Sequence, residues 1–280
     1  MLAALLDPRR HYGSYRELAR LVRRRWELVL ELTKHEISER YAGQVFGTLW
    51  AIGHPLITVA IYVVVFGFIF GGRGKPDPSI PLDQTTYLLA GLVPWIILAE
   101  SLSKTCGLIV NNTPMVKQLV FPVEVLPIKS ALASMLSLVV GMIFVVVYAV
   151  ASSRTVPPPT YLLLPVVMAM QFLFMVGLGF ALSAIAPFFR DLKDFVTVFL
   201  GFGMFISPIL YFRVNLPRIF EFLIAANPFS CMIWVYQDIL YFGRIEHPNA
   251  WAAFVILTLG TFSVGYRFFM GVKHAFADVL

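Results

Sequence analysis

Residues 216–243 read LPRIFEFLIAANPFSCMIWVYQDILYFG, and whether they cross a bilayer decides the topology of the whole chain. The stretch is apolar enough for a span. Pro217, Arg218 and Glu221 open it, however, Asn227-Pro228 breaks it, and Asp238 lies near its end. Two helices of about 10 and 15 residues would reach about 15 and 22 Å. Neither covers a hydrocarbon core of about 30 Å. The pattern therefore predicts a re-entrant helical hairpin over 216–243, entering and leaving by one face, its irregular backbone covered by protein.

The rest of the chain supplies the membrane that this hairpin needs. Of 280 residues, 59% are hydrophobic and only 14% charged, with a mean hydropathy of +0.78. A soluble domain carries about 25% charged residues. Runs at 47–70, 84–109, 129–152, 161–187 and 250–270 each meet the length of about 20 apolar residues that a span needs. A sixth, 195–212, is shorter and rich in Phe and Gly. The fold class is thus all-α integral membrane, with six transmembrane helices. With the N-terminus cytoplasmic, 16 Lys and Arg fall on inside segments and 6 on outside ones. That bias favours both termini in the cytoplasm. A seventh crossing would put Arg267 and Lys273 outside.

Nine of the 22 Lys and Arg precede the first run, among them Arg24, Arg25 and Arg40. Across 14–40, Leu18, Leu21, Val22, Trp26, Val29, Leu30 and Thr33 recur at three- and four-residue steps, with charges between them. This is the pattern of an amphipathic helix lying in the interface plane, drawn to anionic membrane lipids. No stacking platform or groove-reading motif accompanies the basic patch, so nucleic acid is not expected as a partner. The first apolar run starts too late and runs too long for a cleavable signal peptide.

The chain shows no catalytic or metal-ligating constellation. Cys106 and Cys231 each stand alone, and HExxH and GxSxG are absent. GGRGKPD at 71–77 lacks the first Gly and the Ser/Thr of a phosphate loop. Glu100 and Lys104 suit a local ion pair one turn apart, and His54-Pro55 suits a helix kink. No acidic series crosses the spans to couple a proton gradient. Trp50, Trp95 and Trp251 are expected at the membrane interfaces.

The segment after the second run, NNTPMVKQLVFPVEVLPIKS (111–130), is then the place where a partner can act. Thr113-Pro114 reads as an N-cap with proline at the first helical position. Pro122 and Pro127 stop the turns that follow. A short, rigid, mixed-polarity helix over 113–121, facing the cytoplasm, suits docking into a groove on a soluble protein. An ordinary capped loop is the competing reading.

RYAGQVFGTLWAIGHPLITVAIYVVVFGFIF (40–70) resembles the opening of polysaccharide-export permeases of ABC transporters. That group exports lipid-linked O-antigen and is similar to the teichoic-acid and capsule exporters. The 111–130 segment, FFRDLKDFVTVFLGFGMFISPILYF (188–212) and ANPFS (226–230) resemble further family stretches in the same order. The resemblance implies a homodimer in a bacterial cytoplasmic (inner) membrane, joined to separate nucleotide-binding ATPase subunits. No cofactor is expected in this chain, since ATP and Mg would be bound by that partner.

It implies a coupling segment over 111–128, with Thr113, Pro114, Met115, Lys117, Gln118, Phe121 and Glu124 meeting the ATPase. The re-entrant helices become a gate with Pro217, Asn227 and Pro228 at its breaks. The implied cargo is a glycan on a lipid pyrophosphate. Aromatic faces bind sugars weakly enough for sliding. The candidates are Tyr62, Phe66 and Phe70 with Phe202, Phe205 and Tyr211, for which plain packing is the alternative. Arg40, Tyr41, Arg24 and Arg25 are candidates for the pyrophosphate, with anionic-lipid attraction as the alternative for the upstream arginines. Gly67 and Gly71 form a GxxxG step that suits a dimer seam. Two rival functions remain: an ABC permease for a small lipid or drug, and a membrane-embedded enzyme.

Overall fold

The computed structural model describes residues 20, 23–69, 82–117, 121–153, 156–211 and 217–276. The described elements are helices: α1 Trp26–Arg40, α2 Gly47–Ile69, α3 Gln84–Cys106, α4 Leu108–Asn111, α5 Thr113–Val116 and α6 Val125–Ser153. They continue with α7 Pro159–Ile185, α8 Leu192–Gly203, α9 Arg218–Ala226, α10 Pro228–Phe242 and α11 Pro248–Ala275. Five of them, α2, α3, α6, α7 and α11, are long and apolar enough to cross a membrane. The part of the interface helix before residue 20, Leu21 and Val22, and Phe70 and Gly71 lie outside the described residues.

The segment 195–212, expected from sequence as a span, is not one continuous helix. Helix α8 has 12 residues, about 18 Å of axis, and turns carry the chain on from Gly203. Gly201 and Gly203 weaken the helix and Pro208 removes a backbone donor. The segment still follows α3 from end to end. Thr197 Oγ1 donates to Ser103 Oγ over 3.4 Å, Gly203 lies against the Trp95 indole, and Tyr87 Oη donates to the Pro208 carbonyl over 3.1 Å. Between Ser103 and Tyr87, α3 advances about 24 Å. The segment is therefore part helix and part turn.

The bent helix pair ends beside the segment that precedes it. Helices α9 and α10 meet at a 90° bend. Phe229, at the start of α10, packs edge-on to Trp95 at mid-bundle with centroids 5.5 Å apart. Tyr241, near its end, packs edge-on to Tyr87 at 5.3 Å. Pro208 and Tyr241 thus stand beside the same tyrosine. Helix α11 starts from that face, where Asp238 takes the His247 N–H and the Trp251 Nε1–H, and ends at the opposite face with Lys273 on Glu124 at 2.7 Å.

Other details depart from expectation. Pro127 sits in the first turn of α6 instead of ending a turn before it, because a missing N–H costs nothing there. Trp95 is 2% exposed, a core residue and not an interface anchor. Gly67 faces the Tyr148 hydroxyl and Thr85 of its own chain, which fills that side of α2. The closest helix crossing is instead α7 with α11. A Cβ on Gly177 would fall 2.5 Å from the Phe262 backbone, and one on Gly265 would overlap the Gly177 carbonyl oxygen. Small residues of this kind allow close packing without a hydrophobic drive. Replacing Gly265 by Ala is expected to separate α7 from α11 and cost about 1–3 kcal/mol. Thermal unfolding in detergent reads the loss, and an unchanged midpoint would refute the crossing.

Candidate functional site

The side chains that carry charge gather at the face where α1 lies. Residues Val29, Thr33, Glu36 and Arg40 share one face of α1, at the spacing a helix needs to align them. Val29 and Thr33 are buried, which turns Glu36 and Arg40 toward the bundle. There they wall a cleft of about 690 Å³. Glu100 and Lys104 from the end of α3 form a second wall, Asn112, Pro114 and Met115 a third, and Lys129 and Ser130 of α6 the floor. Lys193, just inside α8, completes it.

Four cations, Arg40, Lys104, Lys129 and Lys193, face three acids, Glu36, Glu39 and Glu100. Arg40 Nη1 donates to Glu100 Oε1 over 3.2 Å, and Lys104 Nζ engages the same oxygen. The sequence pairs Glu100 with Lys104; Arg40 is a partner it does not reveal. Lys129, with 7% of its side chain exposed, is 3.5 Å from Glu36 Oε2. That pair lacks hydrogen-bond geometry, and Glu36 Oε2 has no hydrogen-bond partner. Arg40 Nη2 and Ser130 Oγ are likewise buried without one. Buried donors left unpaired are rare in folded proteins, and here they belong to a cleft with excess positive charge. Such a set suits an oxyanion.

The remaining candidates divide. Tyr41 follows α1 half-buried and outside the cleft, while Arg24 and Arg25 are exposed at the other end of α1, about 22 Å from Arg40. The helix separates what the sequence groups by charge. In the 111–130 segment the residue capping α5 is Asn112, not Thr113, and the Thr113 hydroxyl donates back to the Val110 carbonyl at 2.6 Å. The helix ends at Val116 and leaves Lys117 exposed. Gln118 lies outside the described residues. Phe121 packs half-buried on the core. Glu124 is 7% exposed and bound to Lys273, so it anchors the last span and offers no docking surface.

The aromatic candidates also split. Tyr62 and Phe66 stack at 6.2 Å and pack half-buried on the core of their own chain. Phe202 and Phe205 are 67% and 51% exposed, and Tyr211 is half-buried. Phe195 and Phe199 extend the α8 stripe, stacked at 6.5 Å and open on one side. Their spacing with Phe202 was legible, since steps of four and three residues share a helix face.

The hairpin breaks are held by side chains. Asn227 Nδ2 donates to Ser207 Oγ over 3.0 Å, and its Oδ1 caps α10 through the Phe229 N–H at 3.1 Å. Pro228 occupies the first turn of α10, and Pro217 precedes α9. Pro208 O accepts from Gln237 Nε2 at 2.8 Å besides Tyr87.

A multi-pass bundle with a surface helix, a re-entrant hairpin and a charged cleft at one face is a membrane transport subunit in outline. The chain belongs to the ABC-2 type transporter family, whose pattern matches residues 27–241. It is 26% identical over 258 residues to an O-antigen export system permease protein RfbA of Klebsiella pneumoniae, covering 91% of this chain and 95% of that one. An RfbA of Myxococcus xanthus is 25% identical over 268 residues, with 93% and 99% covered. The polysialic acid transport protein KpsM of Escherichia coli is 22% identical over 241 residues, with 86% and 91% covered.

Because Asn227 both caps α10 and ties it to Ser207 in the turn after α8, Asn227→Ala is expected to cost about 1 kcal/mol. Membrane insertion should be retained, and an unchanged thermal midpoint would show that the cap and tie carry nothing.

Proposed function

We propose that this chain is the transmembrane permease of an ATP-driven exporter that moves a lipid-linked polysaccharide, of O-antigen type, out across a bacterial cytoplasmic membrane. The observation that carries the reading is the shared wall of the cleft. An anion-binding set around Arg40 and the short helix leading to exposed Lys117 enclose one space. A headgroup with two phosphates meets Arg40, Lys104, Lys129 and Ser130 there, and a soluble ATPase carrying ATP and Mg grips the 113–117 elbow beside it. The cation-rich face is the cytoplasmic one by the positive-inside rule.

Two copies form the conduit. The stripe of Phe195, Phe199 and Phe202 on α8, with Phe205 just beyond it, is a row of rings open on one side among the described residues. Across a dimer, with α2 of the second copy, it lines a path on which sugar rings slide from face to face. ATP hydrolysis moves the elbow, and the elbow moves the end of α3 against which α8 is packed.

A nucleotide-binding subunit is expected to co-purify at one per copy of this chain. Lys117→Glu should abolish surface polysaccharide while the protein still inserts at its normal level. Normal export by that variant would overturn the docking role of the elbow.

A further inference from the structure

We propose that Glu100 is a built-in stand-in for the anion that the cleft receives, and that its displacement by that anion opens the way from the cleft into the bundle. The inference rests on the reading of the cleft as a headgroup site and adds how the site is kept closed.

Glu100 stands at a junction. It lines the charged cleft and also a narrow apolar crevice between α2, α3 and α6, with Val59, Tyr62, Ile97 and Ser137 among its walls. The cleft measures about 690 Å³ and the crevice about 30 Å³. The crevice therefore has room for about one or two waters, and Glu100 is the side chain it shares with the cleft.

The carboxylate is held at this junction by a mismatched pair. One oxygen, Oε1, serves both Arg40 Nη1 and Lys104 Nζ, while Arg40 Nη2 is buried without a partner. A guanidinium presents a planar fork that two oxygens of one phosphate fill together. Glu100 fills one prong. A diphosphate therefore satisfies Arg40 more fully than Glu100 does, and it brings further oxygens for Lys104 and the buried Ser130 hydroxyl. Once both cations are taken, Glu100 faces the incoming anion at short range and is repelled from it. Its withdrawal joins cleft to crevice along Tyr62. The same cleft wall carries Pro114 and Met115, so occupancy is felt beside the elbow.

The test measures binding of geranylgeranyl diphosphate to the purified full chain in nanodiscs, with inorganic diphosphate as a second probe. Glu100→Gln is expected to tighten binding about tenfold, the scale of one charged hydrogen bond removed from competition. Arg40→Gln should weaken it about tenfold or more. If Arg40→Gln weakens binding but Glu100→Gln leaves it unchanged or weaker, the stand-in role is overturned and the headgroup site stands. If Arg40→Gln has no effect, the headgroup site falls, and this inference with it. Tight binding of inorganic diphosphate alone, without preference for the prenyl form, would assign the cleft to a free anion and overturn the opening into the bundle.

A second measurement leaves Glu100 intact. In a chain with Cys106 and Cys231 replaced by Ala, a thiol at Ser137→Cys should react faster with a soluble maleimide once geranylgeranyl diphosphate is added. An unchanged rate would overturn the opening step whether or not the Glu100 variant folds.

Discussion

In hydrocarbon no water is available to a freed N–H or C=O, so irregular backbone survives there only where protein satisfies it. This chain breaks its helical course at Gly203 and again at Asn227, and side chains take up the difference. Ser207 Oγ returns to the Gly203 carbonyl at 2.7 Å. Asn227 reaches Ser207, and the Pro208 carbonyl accepts from both Gln237 and Tyr87. The two breaks are thus one structure.

The same constraint explains the polar residues held far from water. Gln171 on α7, fully buried, donates to the Pro94 carbonyl at 3.0 Å and accepts from Tyr236 Oη at 2.6 Å. One side chain therefore fixes α3, α7 and the hairpin together. Asp238, 1% exposed, collects the His247 backbone, the His247 Nδ1 and the Trp251 indole. Thr160 and Tyr161 satisfy the carbonyls of Ile239 and Leu240 where the end of α10 widens into a π-helix. These ties join α3, α7, α10 and α11. Helices α2 and α8 each keep one side open among the described residues.

Electrostatics sorts the two ends of the bundle. Lys104, Lys129, Lys193, Arg40 and Lys273 collect at one face, each near a carboxylate or the cleft. Pairs at such a surface add little net stability, whether exposed or largely buried. Their value is positional: Lys129 with Glu36 fixes α1 on α6, and Lys273 with Glu124 fixes the end of α11. Within this frame the cleft keeps donors in reserve.

Composition and run length by themselves determined the class, because a bilayer imposes a length and a polarity on every segment that crosses it. The hairpin was legible for the same reason: Asn227-Pro228 divides 216–243 into pieces too short to span. The stripe of α8 was partly legible, since helical spacing is local. Only the tertiary structure decided that Arg40 meets Glu100, sixty residues away, and that Glu124 meets Lys273, 149 residues away. It also decided that Tyr62 and Phe66 turn inward while the α8 phenylalanines turn out, and that Arg24 and Arg25 stay away from the cleft. Such pairings have no local signature. They follow from which helix faces are brought together, and that is settled by the close contact at Gly177 and Gly265 and by the polar ties buried between the helices.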